Sequence, residues 1–295
     1  MTMVKTCHLL NTDDGEQVAL WHIAKQPFNQ SQPNTKVIEN AIFLTHGAFS
    51  DKRIMLGIAE FLATLNYQCF ILEWRGHGDS PKPAKEFDFN TVAKYDIKAS
   101  FDYLINDLQV KSLHCITHSG GGIALTLCLI HYPHYQAIIK SASIVACQAF
   151  GAVQTRVDFV RLWLAKQLTK HLGFIPAKWF KLGVINETYA TMQPWFDWNL
   201  TKQFVNLDNS IDYRTQMPKV KVPIIAIAGL GDKWIAPIAG CKAFLDAFEH
   251  EANEFMAFGI RHQHLEDYTH GRIMLSKNAS GEVWQAILNW ITLHT

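Results

Sequence analysis

A serine stands at one sharp discontinuity of the chain. Leu113-His114-Cys115-Ile116-Thr117 is an apolar run, and it leads straight into His118-Ser119-Gly120-Gly121-Gly122 and then Ile123-Ala124. Strand, then serine, then small residues opening a helix is the context of a nucleophile elbow, a strained turn that lifts a hydroxyl clear of a sheet. Such a hydroxyl attacks a carbonyl when a base takes its proton and a third group orients that base. The helix start beyond the serine adds N–H groups and a positive dipole end, both suited to a developing oxyanion. Taken alone, the segment also reads as a glycine-rich strand–helix junction with an incidental serine.

Partners for that serine are found at other apolar runs. His46-Gly47-Ala48-Phe49-Ser50 follows the run 41–45, and the backbone bonding expected of a loop histidine suits His46 better than catalysis. Glu73-Trp74-Arg75-Gly76-His77-Gly78-Asp79-Ser80 reads as a structural turn, although His77 and Asp79 are acid–base residue types. Asp232, in Gly229-Leu230-Gly231-Asp232, lies just beyond the strand 223–228, where an open α/β sheet places catalytic groups. Its structural alternative is a helix cap ahead of Pro237. Three histidines, His262, His264 and His270, occupy the stretch between the run 254–260 and the last helix. His262 and His264 could suggest a metal, but no acidic or cysteine set stands upstream to complete a site.

In order and context these segments resemble the α/β-hydrolase superfamily, in its serine esterase and acid lipase branch. His118-Ser119-Gly120-Gly121-Gly122 is similar to that family's G-H-S-x-G-G, with Thr117 in place of the first glycine, a more crowded residue there. The resemblance implies Ser119 as nucleophile, Asp232 as the acid that orients the base, and the N–H groups of Ala48 and Gly120 as oxyanion donors. It implies a histidine after the acid in chain order; His270 has a family-like distance from the terminal helix, and His264 is its alternative. Phe89 to Ser100 resembles the helix ahead of the elbow in acid lipases. The activity implied is hydrolysis of a carboxylic ester through an acyl-enzyme, with no cofactor and no metal. Thioester, amide or lactone cleavage and acyl transfer use the same residues, and a non-catalytic binding module is the alternative of another class.

Elements must hold these residues. Residues 6–10 and 17–23 flank Asp13-Asp14-Gly15 as a hairpin, and the polar stretch 26–35 reads as a loop. Short apolar runs at 41–45, 69–72, 113–117, 137–146, 223–228 and 254–260 alternate with helical periodicity at 51–65, 92–108, 121–131 and 238–248. That alternation predicts a mostly parallel sheet with helices on both faces, the α/β-hydrolase fold. It breaks at 150–215, a stretch with helical patterns, four tryptophans and no convincing strand. Residues 1–149 and 216–295 form the expected core domain and 150–215 a helical cap. Met192 to Trp198 reads as a bend reaching over Ser119, so Phe49, Trp195 and Trp198 are the expected substrate contacts. Tryptophans that merely pack the cap onto the core are the plainer reading.

Composition sets the outer bounds. Of 295 residues, 48% are hydrophobic and 18% charged, enough apolar material for a large core. The formal net charge is +1, with no basic block for nucleic acid. Six dispersed cysteines read as reduced, mostly buried thiols. The first ten residues lack a signal-peptide core, and no stretch reaches the roughly 18 apolar residues of a membrane span. The expectation is a cytoplasmic protein acting on a small-molecule ester with an apolar acyl or alcohol group. Oligomeric state is left open.

Overall fold

The computed structural model describes residues 3–25, 38, 40–180 and 182–295; the stretch 26–35 expected as a loop lies outside them. Among the described residues ten strands occur in chain order: β1 (Val4–Asn11), β2 (Gln17–Ala24), β3 (Ala41–Thr45), β4 (Gln68–Glu73), β5 (Leu113–His118), β6 (Ile139–Val145), β7 (Phe174–Ile175), β8 (Glu187–Thr188), β9 (Ile224–Gly229) and β10 (Glu254–Phe258). Eight of them form one sheet in the order β1-β2-β4-β3-β5-β6-β9-β10. The hairpin β1–β2 and its pairing to β4 are antiparallel, and every pairing from β4 to β10 is parallel. This is the mostly parallel, two-faced sheet of an α/β-hydrolase.

Period-two alternation explains why the central strands read as unbroken apolar runs. In β3, Ala41 and Phe43 join the core on one face while Ile42 and Leu44 join the core on the other. Both faces are covered, so both sets of positions are mostly apolar. The helix Arg53–Thr64 puts Ile54, Ile58 and Leu62 on one face of the sheet. The helical run 89–107 and the helix Gly120–His131 cover the other. Asp88 opens that run with a capping box to Thr91, and π-type turns occupy Val92–Ile97 and Tyr103–Asp107.

Several element ends, and the content of the cap, differ from the sequence expectation. The strand expected from 137 begins at Ile139, because Pro133–Ile138 closes a 3-10 turn with proline in its first turn. The stretch 150–215 does hold strands, the two-residue antiparallel ribbon β7–β8, too short for any periodicity to reveal. Around it lie the helices Arg156–Leu172 and Tyr189–Thr201. A capping box of Thr155 and Asp158 starts the first, and Gly173 at φ 78° ends it. Residues 192–198 are no bend. Pro194 sits in the interior of the helix Tyr189–Thr201, where it removes one i→i−4 hydrogen bond.

Cys7 is exposed and the other five cysteines are buried, all free. Among the described residues, no helix is long and apolar enough to cross a membrane.

Candidate active site

The strand order reverses between β3 and β5, since the chain proceeds from β3 outward to β4 and then back across to β5. Loops leaving the carboxyl ends of two such strands diverge, and the crevice between them is where an open α/β sheet binds ligands. The loop after β3 carries His46 to Ser50, and the turn after β5 carries Ser119. They cross so closely that a Cβ on Gly47 would stand 2.7 Å from both Gly120 N and Ser119 Cβ. Only glycine fits there.

Ser119 has φ 53° and ψ −126°, outside the ordinary regions for a non-glycine residue. Its own N–H donates to Val145 O at 2.8 Å, and its carbonyl accepts from Gly122 N at 3.0 Å. These bonds pin the strained residue between β6 and the helix Gly120–His131. The N–H groups of Ala48 and Gly120 lie side by side, with Ala48 N 3.4 Å from where a Cβ on Gly120 would be. Neither donates to an acceptor among the described residues.

His270 reaches Ser119 from the loop after β10, its Nε2 lying 2.8 Å from Ser119 Oγ. Its Nδ1 lies 2.5 Å from Asp232 Oδ2. Burial would raise the Asp232 carboxyl, but the neighbouring His270 and its hydrogen bond, with N–H groups of Ile235 and Ala236 on Oδ1, hold it below the usual range. An ionised Asp232 fixes the proton on Nδ1 and leaves Nε2 free to accept from the serine. The two loops are joined by backbone, Gly231 N–H donating to Tyr268 O at 2.9 Å. Of the three candidate histidines, His270 alone is brought to the serine. His264 bonds the backbone of Gly259, and His262 is exposed in the 3-10 turn Ile260–His262.

The other histidines are structural. His46 donates from Nδ1 to Gly47 O at 2.7 Å and accepts Trp74 N–H on Nε2 at 3.1 Å. Burial, reinforced by His77, lowers its pKa to about 3, so it is neutral. His118 donates from Nε2 to the carbonyl of His270 at 2.8 Å and is likewise lowered to about 3, first by burial and then by His270. Arg75, in the turn after β4, is buried between Asp14 and Asp96, 2.6 Å from each. Ser80 Oγ donates to Glu73 O at 2.6 Å, which closes that turn.

Glu187 joins this region from the cap. This residue of β8 is 2% exposed, and its Oε1 accepts from Phe49 N–H at 2.8 Å and from His77 Nε2 at 2.8 Å. His77 Nδ1 faces Arg75 O at 3.0 Å, so both ring nitrogens meet acceptors, an arrangement that favours the protonated ring. Burial disfavours that cation, yet the Glu187 carboxylate more than reverses the effect and raises its pKa. Phe49, at φ 64°, also accepts Val184 N–H at 2.8 Å on its carbonyl. The cap thus grips the residue next to Ala48 on both sides. A lone acid in Asn186-Glu187-Thr188 carries no sequence signature of such a role.

A cavity of about 390 Å³ opens over Ser119, Gly120, Ala48 and His270. Phe49 and Trp195, two of the expected substrate contacts, line it together with Phe89, Leu162, Met192 and Phe196. Trp198 does not. It is 3% exposed, donates from Nε1 to Val205 O at 2.6 Å, and packs edge-on against Phe204. The continuous helix turns Trp198 into the core, where the expected bend would have turned it over the serine. Trp234 and Ile235, beside Asp232, and Ala146 and Gln148, just past β6, also line the cavity. Their place at strand ends was the available signal. Asp158 is the one carboxylate among the lining residues, and its Oδ2 accepts from Thr155 N–H and hydroxyl, both at 2.8 Å. Among the described residues, no group of three or more His, Cys, Asp or Glu side chains could hold a metal ion.

Residues 37–268 match the family described as serine aminopeptidase, S33. No curated protein matches the chain. Among solved structures, an esterase from Exiguobacterium antarcticum is 16% identical at a TM-score of 0.65, covering 97% of this chain and 100% of that one. A thermophilic esterase from Thermogutta terrifontis is 14% identical at 0.61, covering 98% and 100%. A hydrolase from Pseudomonas aeruginosa PA01 is 16% identical at 0.62, covering 97% and 98%. At such identities the likeness is one of fold.

Proposed function

The chain belongs to the serine aminopeptidase S33 family of α/β-hydrolases, and we propose that it is a serine-dependent hydrolase of carboxylic esters with an apolar acyl group. The observation that carries this reading is the hydrogen-bonded series Ser119–His270–Asp232, 2.8 and 2.5 Å long, at the floor of an apolar cavity. Ser119 Oγ attacks the ester carbonyl as His270 Nε2 takes its proton. Asp232 stabilises the imidazolium without accepting that proton. The carbonyl oxygen, now an anion, is held by the N–H groups of Ala48 and Gly120, each worth on the order of 10²–10³ in rate when placed at the developing charge. His270 protonates the departing alcohol, leaving an acyl-serine, and then takes a proton from water as that water attacks. The acid and Ser119 are released.

Peptide cleavage, the activity in the family's description, is the second reading, and Asp158 favours it as the one carboxylate that could meet a substrate amine. Its Oδ2 is already engaged by Thr155, and the rest of the lining suits an acyl chain better. A series of p-nitrophenyl esters run beside aminoacyl naphthylamides separates the two; ester turnover should exceed amide turnover. Ser119→Ala should fold normally, lose fluorophosphonate labelling and lose on the order of 10⁴–10⁶ in turnover. Retention of more than a few per cent of wild-type turnover overturns the assignment.

A further inference from the structure

The helix Arg156–Leu172 has one buried residue in its seventeen, Thr169. At 100° per residue its apolar side chains fall on two arcs. Leu162 and Ala165 lie on the arc that lines the cavity. Val157, Val160, Trp163 and Leu164 lie on the opposite one, each about half exposed. Leu168 and Leu172 stand between the arcs, both half exposed and both lining the cavity. Beyond Gly173 the same character continues, with Phe174 and Phe180 exposed and lining the cavity, and Trp179 86% exposed. The outer apolar face of the cap therefore leads into the cavity mouth.

Charge tells what covers this face. Between residues 150 and 184, Arg156, Arg161, Lys166, Lys170, Lys178 and Lys181 stand against the single carboxylate Asp158, in a chain whose net charge is +1. Lys166 is paired with Asp197, and Arg161 lies 4.2 Å over the Trp234 ring. Arg156, Lys170 and Lys178 are exposed and pair with no carboxylate among the described residues. A second copy docking through the same face would bring these cations together, which opposes a symmetric dimer. A cationic helix with exposed leucine, valine and tryptophan matches an anionic lipid surface, where apolar side chains enter the acyl boundary and cations meet headgroups.

We propose that this face of the cap docks on anionic lipid, placing the cavity mouth at the bilayer so that an acyl chain enters from it. Acyl entry rests on the ester reading above; docking does not. The test is co-sedimentation of the full chain with vesicles of phosphatidylcholine alone or mixed with phosphatidylglycerol. Binding is expected to the anionic vesicles, weakening as salt rises. Val160→Glu with Leu164→Glu should lower partitioning at least tenfold, with melting temperature and turnover of a short soluble ester unchanged. Arg156→Glu with Lys170→Glu should lower it by a similar factor, since each basic residue near the surface contributes roughly a fivefold change. Docking is overturned if the chain stays in solution with both vesicles, or if neither pair of substitutions alters binding. It is also overturned if light scattering finds a dimer that Val160→Glu dissociates while vesicles bind nothing. Vesicle binding without ester turnover would leave docking standing and sink the ester reading alone.

Discussion

Thr117, buried in β5 two residues before Ser119, stands where the resembling motif has a glycine, and its neighbours show how its side chain is accommodated. A Cβ on Gly122 would stand 3.1 Å from Thr117 Oγ1 and 2.6 Å from Cys147 Sγ. The room is therefore made on the helix side of the elbow, not the strand side. What is left is a polar cost, because Thr117 Oγ1 is buried without a hydrogen-bond partner. A buried unsatisfied hydroxyl costs about 1–3 kcal/mol. Thr117→Val keeps the branched shape and removes that group, so urea unfolding should show a gain of about 1 kcal/mol with turnover within twofold. A loss of stability would mean that the hydroxyl has a partner, an ordered water being the simplest, and would refute the account.

At the scale of elements, the ribbon β7–β8 is the smallest piece of regular structure and one of the most consequential. It carries Glu187, whose carboxylate accepts from both Phe49 N–H and His77 Nε2. The peptide beside the Ala48 donor is thereby fixed from the cap, not from the sheet. A positioning residue of this kind should affect turnover more than ground-state binding. Glu187→Ala is expected to lower kcat for a short soluble ester roughly tenfold or more, a part of what an oxyanion donor contributes, with KM little changed. Glu187→Gln, which can still accept from Phe49, should recover most of that loss. Equal kcat in wild type and a folded Glu187→Ala variant would show that the loop after β3 holds its shape unaided.

Across the whole molecule, buried neutral histidines set the response to acid. His46 and His118 titrate near 3 in the fold because burial disfavours their charged forms, against 6.5 when unfolded. Between those values the unfolded chain binds more protons, so stability is full above about 6.5 and is lost as pH falls. Each should cost about 2 kcal/mol at pH 5, at roughly 1.4 kcal/mol per unit. Asp96 works the other way. Burial raises it to about 6 despite Arg75, so the fold binds more protons there than the unfolded chain and gains stability as pH falls towards 3.8. His77, raised by Glu187, acts in the same sense as Asp96. The two deeply lowered histidines outweigh these, and urea midpoints should be clearly lower at pH 5 than at pH 7. Equal midpoints would mean that these rings are hydrated or already charged in the fold.

The sequence by itself determined the sheet and the positions along it where chemistry could stand. Strands buried on both faces are mostly apolar, and glycines where two backbones cross leave no room for a side chain, so both are written in local residue type. Ser119, Asp232 and the backbone of Ala48 and Gly120 stand out in the sequence for that reason, each at a strand end. Only the tertiary structure decided which of His262, His264 and His270 reaches the serine, since a loop of three histidines differs by path and not by composition. It also turned Trp198 into the core, joined Glu187 to Phe49 across 138 residues of chain, and set the exposed apolar side chains of the helix Arg156–Leu172 beside the cavity mouth. Those relations depend on how the cap lies on the sheet, and distances between elements far apart in sequence are set by packing that no local pattern encodes.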